Sequence, residues 1–322
     1  MNHATRAAVL ATAVTMIAAP AFAEWPNDRP IRILVGFGAG GGTDLISRVV
    51  AQPLGEVLHQ AVVVENKVGA GGTIAAETVA RADKDGYTAL MTSPAHTVAA
   101  AMLKSMRYDA AKDFAPVSWI ADSAYVFVAR KDFPANDLQG LIAMAKKDPG
   151  KLNFADVGVG TTQNFSGELM RQMAGIDVKH IPYSSTPGVV TALVSSQVDY
   201  GVELVHAVRG QVEAGQIKLL AVSTPSRWPT IPNVPTVAES GVPGYGVIGW
   251  YGFLYPAGTP QPIIDKTNAA LKEVLNRPDV REQLNRAGAI VRVSTPAELG
   301  KQIEDEVVKW KSVREKAGIE QK

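Results

Sequence analysis

Short runs of β-branched and aliphatic residues alternate along this chain with amphipathic stretches of about 12 residues, the spacing of βαβ units and parallel sheets. Residues 31–36 predict a strand and 43–58 a helix; 61–65, 72–82 and 87–92 predict strand, helix and strand, and 125–129 a further strand. The pattern then restarts. Asn136 can cap a helix over 137–147, and Asp148-Pro149-Gly150 is a turn. Residues 152–157, 162–174 and 178–183 predict strand, helix and strand, Pro187 opens a helix toward Ser196, and 217–224 is a strand. Residues 225–246, rich in Pro and Gly, are a connection, with the return from a second lobe placed near Pro225 to Trp228. Two helices then close the chain. Thr259-Pro260 opens the first, with Ile264, Leu271 and Leu275 on one face. Thr295-Pro296-Ala297-Glu298 is a capping box for the second, with Leu299, Ile303, Val307 and Trp310 as its packing stripe. The fold class is α/β. Roughly 300 residues exceed what one core usually holds, so two domains are expected: 24–123 with 228–322, and 124–227 between them.

Residues 1–23 differ from the rest. Arg6 precedes an apolar run over 7–19, and Pro20 with Ala21-Phe22-Ala23 makes an A-x-A cleavage site, so a secretory leader over 1–23 and a periplasmic destination are expected. The run is shorter than the roughly 20 residues of a membrane span. Removing the leader removes Arg6 and no acid, taking the formal charge from +1 to 0. A neutral chain has no basic footprint for nucleic acid. With 0 cysteines there is neither a disulfide nor a lipid-modified Cys. These features describe a freely diffusing protein with no membrane anchor, expected to be a monomer.

The most informative stretch is Val35-Gly36-Phe37-Gly38-Ala39-Gly40-Gly41-Gly42-Thr43-Asp44, between a strand and a helix start. Backbone N–H groups converge there on the positive end of a helix, an anion site by construction. Three readings compete. Gly36-x-Gly38-x-x-Gly41 satisfies a dinucleotide fingerprint, with Glu65 at the distance of a ribose-binding acid, although export argues against a nicotinamide cofactor. The same glycines can serve only a tight turn. The third reading is a carboxylate site, and a second loop supports it. Asp156-Val157-Gly158-Val159-Gly160-Thr161-Thr162-Gln163-Asn164 also joins a strand to a helix, in the other half of the chain. Two helix ends facing one cleft suit a ligand with two anionic groups, with Thr161, Thr162 and Gln163 adding uncharged polar contacts. Asp44 is awkward in an anion site; it compensates the helix end, holds a water or an oriented Thr43 hydroxyl, or accepts from a ligand amine or protonated carboxyl.

Together these residues resemble the substrate-binding proteins of tripartite tricarboxylate transporters, the Bug family. The likeness runs from Trp25-Pro26 and Pro30-Ile31-Arg32 through Gly36-Phe37-x-Ala39-Gly40-Gly41-x-x-Asp44, Val64-Glu65-Asn66-Lys67-x-Gly69-Ala70-Gly71-Gly72 and Asp85-Gly86-Tyr87-Thr88. It continues in Pro149-Gly150-Lys151-Leu152-Asn153, His180-Ile181-Pro182-Tyr183, Val234-Pro235-Thr236-Val237-Ala238-Glu239 and Pro256-Ala257-Gly258-Thr259-Pro260. The resemblance implies a two-lobed Venus-flytrap fold of type II kind, each lobe a βαβ sheet flanked by helices. It also implies capture of a small dicarboxylate or aromatic acid and delivery to a pair of permease subunits, with no cofactor and no catalysis. Carried over by position, Phe37, Ala39, Gly40, Gly41, Thr43 and Asp44 form one wall, and Gly160, Thr161, Thr162 and Gln163 the other. The chain departs from the family pattern at Ser184-Ser185, where Lys-Gly is usual, and at Ser195-Ser196 in a Gly-Gly-Gln-Val-Asp element. It departs again at Asp156 and Asn164, where a Ser and a His are usual. Ser184 joins the candidate ligand residues on that account.

Thr92-Ser93-Pro94-Ala95-His96-Thr97 follows a strand and should open on the cleft. Ser93 and His96 are therefore candidates, with a plain turn as the alternative. His206 joins them if the second lobe aligns, though surface or hinge packing suits it better. No His or acid spacing suits a metal. There is no Gly-x-Ser-x-Gly elbow, so a hydrolase reading rests on individually common residues.

Overall fold

The computed structural model describes residues 25–321; the expected leader over 1–23 lies outside the described residues. The first lobe opens with β1 (Ile31–Val35), α1 (Gly42–Leu58), β2 (Val62–Asn66), α2 (Thr73–Ala80), β3 (Thr88–Thr92), α3 (Ala95–Met102) and β4 (Phe114–Ser123). The second holds β5 (Tyr125–Arg130), α4 (Leu138–Lys147), β6 (Asn153–Asp156), α5 (Thr162–Ala174), β7 (Lys179–Pro182), α6 (Thr186–Val194), β8 (Tyr200–Leu204), α7 (Val205–Glu213) and β9 (Ile217–Val222). The chain ends with β10 (Gly249–Pro256), α8 (Gln261–Asn276), α9 (Pro278–Arg286), β11 (Ala289–Val291) and α10 (Pro296–Ala317).

Two mixed sheets result, ordered β11-β4-β10-β3-β1-β2 and β7-β6-β8-β5-β9. Each contains a parallel trio, β2-β1-β3 in one and β7-β6-β8 in the other; the strand–helix alternation predicts five of these six strands and omits β8. Of the antiparallel members, β5 and β9 fall on the strands expected at 125–129 and 217–224, whereas their antiparallel pairing, and β4, β10 and β11 altogether, were not anticipated. β4 reads poorly as a strand because it carries Pro116 and polar residues, and its ladder with β10 slips register twice. β10 is an aromatic run, Trp250-Tyr251-Gly252-Phe253-Leu254-Tyr255, without alternation because both its faces are covered.

Side-chain alternation explains the layers. Ile31, Ile33 and Val35 face α1 and α8, where Ile46, Val50, Leu271 and Leu275 pack, while Leu34 faces α2 with Trp250 and Leu254. In the second sheet Phe127, Phe154 and Tyr200 face α4 and α5, and Val126 and Val128 face α6 and α7. α10 serves both lobes: Leu299 and Ile303 join the first core, while Trp310 and Val313 join the second. Trp310 is fully buried edge-on to Phe165, ring centroids 5.8 Å apart.

Three local expectations change. Asp137, not Asn136, caps α4, accepting from Gly140 N–H at 2.7 Å. Three helices rather than two close the chain, because Pro278 drives Arg277 extended (φ −67°, ψ 130°) and starts α9 anew. Residues 228–247 pack on the second sheet rather than returning at once to the first. Trp228 joins the core of Val126, and Tyr245 meets Phe127 ring to ring at 6.1 Å. The chain passes from sheet to sheet at Ala124, between β4 and β5, and again between Val247, bonded to Ser223 O at 2.8 Å, and Gly249 of β10.

Candidate functional site

The loop after β1 closes on itself. Gly40 takes φ +81°, and Gly41 N–H reaches Gly38 O at 3.2 Å. Gly41 caps α1 with no side-chain hydrogen bond, so the first-turn N–H groups are left for water or a ligand. Asp44, 1% exposed, does not meet the cleft. Its carboxylate accepts from Gly40 N–H (2.8 Å), the Asn66 amide (2.8 Å) and Arg48 Nε (3.0 Å). Burial alone would raise this carboxyl, but the bonds from Arg48, Gly40 and Asn66 outweigh it and hold Asp44 below the usual carboxylate range. Its role is to brace the loop. Glu65, the acid a dinucleotide site would need, is taken up by Arg32 at 2.6 and 2.7 Å.

The loop after β6 repeats the device. Gly158 and Gly160 take φ +106° and +91°. Gly160 N–H donates to Asn164 Oδ1 (3.3 Å), the same four-residue reach as Gly40 to Asp44. Asp156, fully buried, accepts from Gly158 N–H (2.7 Å) and Asn164 Nδ2 (2.8 Å), and lies 2.7 Å from His180 Nε2. Thr161 caps α5: its hydroxyl donates to Gly158 O (2.8 Å) and accepts from Asn164 N–H (3.2 Å). That hydroxyl is therefore spent inside the loop.

The two loops border one cavity of about 660 Å³. Of the expected residues, Phe37, Gly41, Thr43 and Ser93 line it from the first lobe, and Gly160, Thr161, Thr162 and Gln163 from the second. Ala39 and Gly40 stay on the exposed outer turn. Ser184 is exposed and outside the lining; Thr186, two residues on, is the one that reaches it. His96 is corrected outright. It is 5% exposed, bonded through Nε2 to Ala110 O at 2.8 Å and packed on Tyr108 and Phe114. Burial pushes it down to about 4, a neutral core imidazole. His206 is also outside the cleft. It sits against Gly288, where an added Cβ would come within 2.4 Å of His206 Cβ.

Sequence reasoning missed the floor. Ser123, Tyr125, Trp250 and Tyr251 line the cavity where the chain crosses between lobes. Burial pushes the Tyr251 phenol up to about 12 and raises Tyr125 as well, so both are hydroxyl donors at neutral pH. Gly42 is small for a reason: a Cβ there would lie 2.6 Å from Tyr251 Oη. Ala99, Met102 and Leu103 of the α3 end add an apolar wall. No Asp, Glu, Lys, Arg or His lines this cavity among the described residues. Behind Thr186 lies Glu203, fully buried, with Oε2 accepting from Thr186 Oγ1 at 2.8 Å. Burial, opposed by bonds from Thr186 and Gln163, pushes it up to about 7.

Two α/β lobes joined by two crossings around an uncharged, glycine-walled cleft define a two-lobed solute-binding protein. The model of the tripartite tricarboxylate transporter family receptor, TctC, matches residues 46–319, and the chain belongs to that family of periplasmic binding proteins. It is 33% identical to Protein BugT of Bordetella pertussis over 308 residues, 95% of this chain and 94% of that protein. Among solved structures it resembles R. palustris Rpa4515 with adipate (TM-score 0.80, 32% identity, 93% of this chain and 100% of that one). It also resembles MatC (Rpa3494) from Rhodopseudomonas palustris with bound malate (TM-score 0.75, 34% identity, 88% and 98%).

Proposed function

We propose that this chain is a periplasmic receptor that captures a small carboxylate between its lobes and hands it to the membrane subunits of a tripartite transporter. One observation carries the reading: two strand-to-helix loops, each opening a helix N-terminus, border a single cleft that no charged side chain lines among the described residues. A carboxylate at such helix ends is stabilised by fixed dipoles instead of a neutralising cation, which favours moderate, reversible binding. The likeness to proteins solved with adipate and with malate supports the same ligand class. Phe37, Gly41, Thr43 and Ser93 would hold one end of the ligand, with Gly160, Thr162, Gln163 and Thr186 at the other and Tyr125 and Tyr251 donating from the floor. Thr161 acts through its cap. The lobes would be 24–123 with 249–322, and 125–247, hinged at Ala124 and Ile248. Binding closes them by favouring the closed population.

A thermal-shift panel on residues 24–322, unfolded and refolded to strip bound ligand, tests this. The panel holds linear dicarboxylates, citrate, benzoate, amino acids and NAD. Ligand at about 100 times its Kd stabilises by about 2.7 kcal/mol, at roughly 2–4 °C per kcal/mol for about 150–250 residues. A shift with carboxylates alone is the expected result. Silence from every carboxylate, or a shift from NAD alone, overturns the proposal.

A further inference from the structure

Each glycine loop rests on a buried carboxylate, and the two supports differ in their cation. Asp44 in the first lobe is paired with Arg48 at 3.0 Å, a guanidinium charged at every accessible pH. Asp156 in the second is paired with His180 at 2.7 Å, and no Arg or Lys ion pair reaches it among the described residues. The groups around His180 are few. From α5 come the Asn164 amide at 3.4 Å and Glu168, itself bridged to Arg171 at 2.8 Å. From β6 come Asp156 and the Phe154 ring at 5.7 Å; Lys179, its neighbour in β7, is exposed. On β8, Glu203 is a further buried acid of this lobe besides Asp156 and Glu168, its carboxyl further raised by Asp156.

We infer that His180 decides what the second lobe accepts: protonated, it balances Asp156 and lets the loop over 157–162 take a second carboxylate; neutral, it leaves Asp156 uncompensated and the loop takes an uncharged group. This rests on the carboxylate-receptor reading and deepens it. The first lobe, with its permanent Asp44–Arg48 pair, takes a carboxylate at any pH. His180 is a positioning residue, acting through Asp156 and the loop amides that Asp156 and Asn164 hold. The bond to Asp156 raises the His180 pKa against the opposing effect of burial, which places its titration above the ordinary histidine value of 6.5, where it bears on ligand choice.

The test is calorimetric titration of the full chain with adipate and malate as dicarboxylate probes and benzoate and hexanoate as monocarboxylate probes. It spans about pH 5.5 to about pH 8.5, in buffers of different ionisation enthalpy. Dicarboxylate affinity falls as pH rises through the His180 pKa, by at most about tenfold per pH unit, with a proton taken up on binding; monocarboxylate affinity stays level. His180→Gln abolishes the slope and binds dicarboxylates as weakly at low pH as wild type does at high pH. The double variant His180→Gln/Asp156→Asn, with both charges gone, recovers dicarboxylate binding at high pH. A purely structural pair would show no such rescue. A flat wild-type profile without proton uptake overturns the inference, as does a slope that survives in His180→Gln and vanishes in Glu203→Gln. Failure of all four acids to bind at any pH refutes the receptor reading itself.

Discussion

Replacing Gly36 by alanine tests whether the first cleft wall is two loops pressed backbone to backbone. A Cβ at Gly36 would stand 2.4 Å from Gly72 Cα and 2.9 Å from Gly72 O. Carbon atoms in contact need about 3.5–4.0 Å, so the loops must part by roughly 1 Å or more. Neither side gives easily. Gly36 directly follows β1, whose Val35 is fully buried, and Gly72, at φ +95°, leads into α2, whose Ala75 and Val79 are buried. Overpacking of this kind costs about 1–3 kcal/mol. That corresponds to a melting temperature lower by about 2–12 °C for a unit of about 150–250 residues. Displacement of Gly72 also moves Ala70 and Gly71, which line the cleft, so ligand affinity falls with stability. Gly38→Ala is the control, since an added Cβ there has nothing within 4 Å. Scanning calorimetry and ligand titration read both effects. Wild-type melting and affinity in Gly36→Ala, or equal damage in Gly38→Ala, would refute the packing account.

Three further outcomes follow from buried polar groups. Asp44→Ala strands the Gly40 N–H and the Asn66 amide, each hydrogen bond to a charged group being worth about 1.5–3 kcal/mol. It should weaken ligand binding without lining the cleft, and wild-type affinity in this variant would show that Asp44 does not brace the loop. His96 is neutral when folded, held down to about 4. Stability is therefore lost as pH falls from about 6.5 to about 4, and His96→Phe should flatten the urea midpoint over that window; an unaltered slope would exclude His96 as its source. Glu203 has the opposite sign. Its folded value near 7 exceeds the ordinary 4.5, so stability is lost as pH rises between them. Glu203→Gln should gain on wild type more at about pH 8 than at about pH 5, and an equal gain at both would remove Glu203 from the balance.

What the sequence determined by itself is whatever local geometry dictates. The strand period over 31–36, the glycines after it and the helix over 43–58 each depend on neighbours within a few positions, and they occur as β1, the first loop and α1. The same holds for the second loop and for the capping box at Thr295 and Glu298. Tertiary structure decided whatever depends on facing a distant partner. The turn after β3 put Ser93 at the cleft, while the first turn of α3 sent His96 into the core against Tyr108 and Phe114, a difference of three positions with no local signature. The floor of Tyr125 and Tyr251 arises because strands more than 120 residues apart pair antiparallel at the crossing, where Gly249 meets Ser123. Asp156 and His180 belong to neighbouring parallel strands, β6 and β7, and only the lateral pairing of those strands brings the carboxylate to the imidazole. Hydrogen bonds along one segment can be read from spacing; a charge is balanced by whatever the fold brings beside it.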